Sequence, residues 1–89
     1  MTAPPADRLA RAAALLAEGD WRGAHALVQD DPSEAAAWLH GIAHTLEGDL
    51  ANARHWYRRA HRPFPGPDAV AHEIALARRS LDPAAPPVP

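Results

Sequence analysis

Hydrophobic and polar positions follow each other along this chain with the period of an α-helix. Leu9, Ala12, Ala13 and Leu16 fall at helical spacing, and similar spacing returns in the middle of the chain and near its end. The sequence contains no run of alternating β-branched residues, which would be typical of strands. The pattern predicts an all-α protein, with helices over residues 7–18, 21–29, 32–47, 50–61 and 68–81.

Start and stop signals mark the ends of these helices. Asp31 is expected to cap the third helix, with Pro32 in its first turn. Gly19 and Gly48 fit the position just after a helix end, where a left-handed backbone is needed. Residues 62–67 are expected to form a loop, because their three prolines cannot sustain helical hydrogen bonds.

An internal repeat organises the predicted helices. The sequence Glu-Gly-Asp at residues 18–20 recurs at 47–49, each time between two helices. Connections this short make neighbouring helices antiparallel. We therefore expect residues 6–81 to form two stacked helical hairpins, with a C-terminal capping helix over the exposed end. Residues 1–5 and the proline-rich residues 82–89 are expected to be disordered tails.

Small, aromatic and proline residues recur at characteristic places in the two hairpins. In the second hairpin these residues are Gly41, Gly48, Ala53, Tyr57, Ala60 and Pro65, and in the first they are Ala12, Leu15, Gly19 and Ala24. With this spacing the chain resembles the tetratricopeptide-repeat (TPR) family over about residues 5–66. His40 and His44 depart from the family, which usually has a leucine and an aromatic residue at those positions. The resemblance implies stacked hairpins closed by a terminal helix.

A helical wheel predicts a polar patch between the third and fourth helices. Gly41 of the third helix points toward Tyr57 of the fourth, and two histidines lie beside that contact. In an antiparallel pair of helices, the two flanks of this contact fall on the same side. The predicted partner- or ligand-binding patch consists of His40, His44, Glu47, Asn52, His55, Trp56 and Arg59.

Three interpretations of this patch compete. His40 and His44 are four residues apart on a helix, a spacing that suits two imidazole ligands of a metal ion, and Glu47 would add a carboxylate. Alternatively, the histidines are structural and are hydrogen-bonded to Glu47, Asn52 or Tyr57. A histidine beside a glutamate can also act as a general base, but no nucleophile lies in a matching position. We therefore predict no catalytic residues and no cofactor, with His40 and His44 as weak metal candidates.

Charge narrows the class of partner. The formal net charge of −2 argues against a dedicated nucleic-acid-binding protein. All nine basic residues are arginines, which suit bidentate recognition of carboxylates or phosphates, although a GC-rich genome gives the same bias. Residues 54–62 contain four arginines, two histidines and no acid. Such a segment suits an anion, an acidic peptide or a single-stranded nucleic acid, whereas its alternative interpretation is the solvated side of an amphipathic helix.

The sequence also bears on location and on the class of function. It contains no cysteine, which excludes disulfides and thiolate metal sites. The apolar stretch at residues 12–17 is too short to span a membrane and does not resemble a signal peptide, so we expect a cytoplasmic protein. Our first hypothesis is a non-enzymatic protein-interaction module, which binds another protein or a second copy of itself. The alternative is a small protein that binds a metal or an anionic ligand at His40 and His44.

Overall fold

A computed structural model describes residues 5–81, which form five α-helices and no strand. The all-α prediction is therefore confirmed for this part of the chain. Most of the two predicted tails, residues 1–4 and 82–89, lies outside the described residues. None of the described helices is long and apolar enough to cross a membrane. The elements are α1 (Pro5–Ala17), α2 (Trp21–Val28), α3 (Glu34–Glu47), α4 (Leu50–Arg59), a 3₁₀ turn (Pro67–Ala69) and α5 (Val70–Leu81).

The two Glu-Gly-Asp sequences end one helix and begin the next in the same way. Gly19 and Gly48 have φ angles of +83° and +92°, a left-handed conformation that residues with a Cβ rarely adopt. Asp20 and Asp49 then cap α2 and α4, since each carboxylate accepts the backbone N–H three residues later, at 2.9 and 3.2 Å. Because both turns are short, α1 packs along α2 and α3 packs along α4.

The start of α3 differs from the prediction. Ser33, not Asp31, is the N-cap residue, and its hydroxyl accepts the N–H of Ala36 at 3.1 Å. Asp31 instead accepts the N–H of Ser33 at 2.9 Å and forms a turn two residues before the helix. Pro32 therefore lies in this turn, and the helix begins at Glu34.

The end of α4 also differs, because the helix stops at Arg59 and not at His61. His61 has a φ angle of +57°, and the next residue precedes a proline, which disfavours helical backbone. The N–H of Arg62 donates to the carbonyl of Tyr57 at 3.0 Å, which closes a Schellman-type turn. His61 thus occupies a position that glycine usually fills.

We expect His61→Gly to raise the free energy of unfolding by about 0.5–1 kcal/mol. A left-handed residue with a Cβ costs roughly 1–2 kcal/mol, and the greater freedom of glycine in the unfolded chain offsets part of the gain. Thermal unfolding should show an increase in Tm of about 2–8 °C.

The matched control for this prediction is His61→Ala. It keeps the left-handed strain but removes the exposed contact between His61 and Glu34, which contributes little because both side chains are solvated. A Tm of the glycine variant at or below that of the alanine variant would contradict the prediction.

Helix α3 lies at the centre of the fold. It contacts each of the other four helices, and residues 36–45 are all buried. A helix that is buried on every side carries its polar residues into the interior, where they need partners. The hydroxyl of Thr45 donates to the carbonyl of Gly41 at 2.8 Å. His40 and His44 are buried in the same stretch.

Helices α3 and α4 approach each other most closely at Gly41. A Cβ on Gly41 would lie 2.6 Å from the ring of Tyr57 and 3.3 Å from the carbonyl oxygen of Ala53, so this position requires glycine. The predicted contact between Gly41 and Tyr57 is therefore confirmed. It brings the side of α3 that carries His40 next to the side of α4 that carries Trp56.

Helix α5 makes its largest contact with α1 and a smaller one with α3. The prediction placed this helix over the exposed end of the two hairpins, and the structure instead places it across the first and third helices. Ala77 of α5 is buried, and its apolar residues Val70, Ile74 and Leu81 are half-buried. The apolar side of α1 is thus covered by the last helix of the described chain.

A buried carboxylate of α5 is hydrogen-bonded to side chains of α3 and α4. The side chain of Glu73 accepts the hydroxyl of Tyr57 at 2.7 Å and the indole N–H of Trp38 at 3.2 Å. Burial, together with the hydrogen bond to Glu73, raises the pKa of Tyr57, so its hydroxyl keeps the proton that it donates. No sequence pattern singled out Glu73.

Candidate functional site

Three histidines meet where α2 packs against α3. The ring centroids of His25 and His40 are 4.4 Å apart, those of His25 and His44 are 5.3 Å apart, and those of His40 and His44 are 5.1 Å apart. Each ring has one nitrogen that could bind a metal ion in this cluster, and these three nitrogens all lie within 4.8 Å of one another. We call these three residues the histidine cluster. His25 lies on α2, whereas the other two lie one turn apart on α3.

Glu47 orients one ring of the histidine cluster. The carboxylate of Glu47 can only accept a hydrogen bond, so the Nδ1–H of His44 donates to it, at 2.9 Å. This bond places the proton of the neutral ring on Nδ1 and leaves a lone pair on Nε2. The predicted partnership of His44 and Glu47 is therefore present, and it fixes both the tautomer and the position of the ring.

His40 is the most deeply placed member of the histidine cluster, with only 4% of its surface exposed. Its ring makes no hydrogen bond with any residue that the structure describes. In residues 7–81, every side-chain nitrogen or oxygen that solvent cannot reach has a hydrogen-bond partner. Because the ring nitrogens of His40 have no such partner, they must be accessible to solvent. Burial, followed by the neighbouring His25, His44 and His55, lowers the pKa of His40 to about 4. His40 is therefore neutral at pH 7.

The ring of His40 also lies flat against Trp56 of α4. Their centroids are 3.8 Å apart and their planes are inclined by 5°. His55 meets the edge of Trp56 at 5.2 Å, and the guanidinium of Arg59 lies over the indole at 5.3 Å. The predicted meeting of His40 and Trp56 on one side of the α3–α4 pair is therefore confirmed. His55 and Arg59 continue the contact to the surface.

Two expected hydrogen bonds of the patch are not formed. Asn52 is half-buried in the first turn of α4, where its backbone N–H donates to Asp49. Within the described part of the chain, its side chain has no hydrogen-bond partner among the histidines. Tyr57 bonds to Glu73 and not to a histidine. The histidines of α3 were expected to form hydrogen bonds with Glu47, Asn52 or Tyr57. Only His44 does so, through Glu47.

The sequence pattern did not reveal the part played by His25. It lies on α2 and reaches the cluster only because α2 packs against α3. No local spacing connects a residue of α2 with two residues of α3. The available signal was its neighbour Ala24, a small residue of the repeat that is fully buried. A residue next to such a contact is well placed to meet the adjoining helix.

Comparison with known proteins does not indicate a function for this chain. The chain matches no model of a protein family, no curated protein and no solved structure. Packed α-helices serve proteins of many unrelated functions, so the fold class by itself does not indicate an activity. A functional argument for this chain therefore rests on the chemistry of its own side chains.

Arginines that lie over aromatic rings are a second feature of the structure, in α4 and the turn that follows it. We call Arg54, Arg58, Arg59 and Arg62 the arginine face. None of these residues forms an ion pair with a carboxylate among the residues that the structure describes. Three of their guanidinium groups lie over rings: Arg54 over Phe64 at 5.5 Å, Arg59 over Trp56 at 5.3 Å and Arg62 over Trp38 at 3.6 Å.

A shallow cleft of about 240 Å³ lies at the edge of the arginine face. Arg59 and Trp56 form one part of its lining, and Asp30 and Asp31 form another. The cleft is smaller than the roughly 300–1,000 Å³ of a typical small-molecule site. Its two acidic residues also repel anions, so the outer side of α4 suits an anionic partner better than the cleft does.

Proposed function

We propose that this protein is a non-enzymatic interaction module that binds an acidic segment of another protein through the arginine face. One observation carries the proposal: three arginines are held against aromatic rings, while no described carboxylate pairs with them. Stacking uses the flat side of a guanidinium and leaves its N–H edge free for bidentate bonds to a carboxylate. Part of the entropy that binding would cost is therefore already lost in the free protein.

The proposed scaffold for this face is a TPR-like stack of two hairpins. The duplicated Gly-Asp turns and the close contact of α3 with α4 support it. In such a scaffold α4 contributes its inner side to the hairpin contact and its outer side to the surface. Arg54, Arg58 and Arg59 are all exposed on that outer side. We further propose that the protein acts in the cytoplasm.

A protein partner fits the charge distribution better than a nucleic acid does. Nucleic-acid affinity comes largely from neutralising many phosphates, which requires a broad basic surface. Here the arginine face comprises four arginines from one helix and its following turn, and the whole chain has a net charge of −2. Asp30 and Asp31 line the cleft next to Arg59 and would repel a longer phosphate backbone. A short acidic peptide can contact the arginine face without meeting them.

We expect a fluorescently labelled ten-residue glutamate peptide to bind the wild-type protein in fluorescence anisotropy, and to bind the variant Arg54→Gln/Arg58→Gln/Arg59→Gln about tenfold more weakly. Exposed ion pairs contribute about 0.2–1 kcal/mol each, so three of them account for a factor of this size. The affinity should also fall as salt is raised from low to physiological concentration, because the contacts are exposed.

The control for charge alone is Arg78→Gln/Arg79→Gln, which removes exposed arginines from α5. This variant should bind the peptide within about threefold of the wild type. Equal binding by the triple variant and the wild type would rule out the arginine face. If a ten-residue oligothymidine binds more tightly than the peptide, the partner of the arginine face is a nucleic acid and not a protein. If light scattering shows a dimer that the triple variant abolishes, the acidic partner is a second copy of the chain.

A further inference from the structure

The histidine cluster has the composition and geometry of a metal site. We propose that His25, His40 and His44 bind one divalent transition-metal ion through one nitrogen of each ring. The proposal is independent of the arginine face, because none of its four arginines takes part. The sequence indicated His40 and His44 as metal candidates. The proposal adds His25, from a different helix, as a third ligand.

The nitrogen–nitrogen distances within the histidine cluster are close to those between the ligands of a bound metal ion. The three nitrogens lie within 4.8 Å of one another. In a tetrahedral site with metal–nitrogen bonds of about 2.0–2.1 Å, ligand nitrogens lie about 3.4 Å apart. Small rotations of the side chains close this difference, and His25 is only half-buried, so its ring has room to move.

The partners of the three rings match those of metal ligands. His44 donates its Nδ1–H to Glu47, which is the arrangement that orients a histidine whose other nitrogen binds a metal. His40 is almost fully buried, yet its ring has no hydrogen-bond partner among the described residues. Its ring nitrogens keep access to solvent, so a lone pair of His40 is available to an ion.

The donor set indicates the class of metal. Three imidazole nitrogens without thiolates favour Zn²⁺, Co²⁺, Ni²⁺ or Cu²⁺ and disfavour Mg²⁺ and Ca²⁺, which prefer oxygen ligands. A second group, His44 with Glu47 and Asp49, is also close enough for a cation. In that group Asp49 already caps α4 and Glu47 already binds His44, so its carboxylates are engaged. The histidine cluster is therefore the better site, with one coordination position left for water.

A metal at this position would join the two hairpins. His25 is supplied by α2 and the other two ligands by α3, so the ion would hold these helices together. A ligand that binds only the folded protein stabilises it by about 2.7 kcal/mol at 100 times its Kd. The consequence is a metal-dependent rise in Tm.

The test is a titration of the full chain, freed of metal by a chelator, with Co²⁺ followed by visible absorption and with Zn²⁺ followed by calorimetry. We expect one ion per chain, the absorption bands of four-coordinate Co²⁺ and a higher Tm. Glu47→Gln should weaken Zn²⁺ binding by about 10–100-fold, the usual effect of losing an orienting partner. His25→Ala and His44→Ala should each weaken it more than Glu47→Gln does.

His72→Ala is the matched control, because His72 is an exposed histidine of α5 that belongs to neither group of candidate ligands. It should bind Zn²⁺ like the wild type. Far-ultraviolet circular dichroism identifies any variant that fails to fold, and Glu47→Gln keeps the test decisive, since Glu47 is exposed and its size is unchanged. Sub-stoichiometric binding to the wild type, or equal affinities of His25→Ala and His72→Ala, would overturn the proposal.

Discussion

Tyr57→Ala is expected to lower the free energy of unfolding by about 3–5 kcal/mol, the range found when a large buried ring is truncated. The side chain of Tyr57 is 2% exposed, its ring fills the space beside Gly41, and its hydroxyl donates to Glu73. The truncation therefore opens a cavity between α3 and α4 and weakens the attachment of α5. Since a folded chain has about 0.05–0.15 kcal/mol of stability per residue, the variant should be extensively unfolded in urea concentrations that leave the wild type folded.

Tyr57→Phe separates the two parts of this effect. It keeps the ring against Gly41 and removes only the hydroxyl, which leaves Trp38 as the donor to Glu73. A lost hydrogen bond to a charged group costs about 1.5–3 kcal/mol, so this variant should be clearly more stable than Tyr57→Ala. If both variants unfold at the same urea concentration, the close packing at Gly41 contributes nothing to stability.

Acidification should destabilise the metal-free protein between about pH 6.5 and pH 4 because of His40. Burial first, and then its neighbouring histidines, lower the pKa of His40 in the folded state to about 4, whereas an unperturbed histidine has a pKa of about 6.5. In this interval the unfolded chain takes up a proton at His40 and the folded chain does not. The stability is therefore complete above pH 6.5 and falls with decreasing pH, by about 3 kcal/mol in total at pH 4.

The measurement is urea unfolding at several pH values in the presence of a chelator, for the wild type and for His40→Gln. Glutamine is polar, similar in size and does not titrate, so the variant should lack this part of the pH dependence. Carboxylates also titrate near pH 4, but they do so in both proteins, and the difference between the two curves isolates His40. Parallel curves for the two proteins would show that His40 is protonated equally in the folded and unfolded states.

Local chemistry accounts for the features of the fold that were predicted from the sequence. The turns at Gly19 and Gly48 depend on residues that are adjacent in the chain, namely a left-handed glycine followed by an aspartate cap. The meeting of His40 with Trp56 followed from one helical period and one short turn. At the start of α3, two residues compete for the same cap. Ser33 is the one in that position, and such competition between neighbours limits the prediction of helix ends.

Contacts between distant parts of the chain account for what was missed. His25 joins the histidine cluster through the packing of α2 on α3, and Glu73 meets Tyr57 through the packing of α5. A helical period shows which side of a helix is apolar, but not which of several apolar surfaces it will contact. For this reason α5 was expected at the end of the two hairpins, while the largest surface that it covers belongs to α1.

The contact between α1 and α5 also affects how the protein unfolds. A linear array of repeats can fray from its ends, since each unit touches only the next one. In this chain the first described helix is held by the last, and both contact α3. Neither terminal helix can detach without exposing apolar surface of the other, so partial opening at the ends is costly. We therefore expect the protein to unfold in one cooperative step.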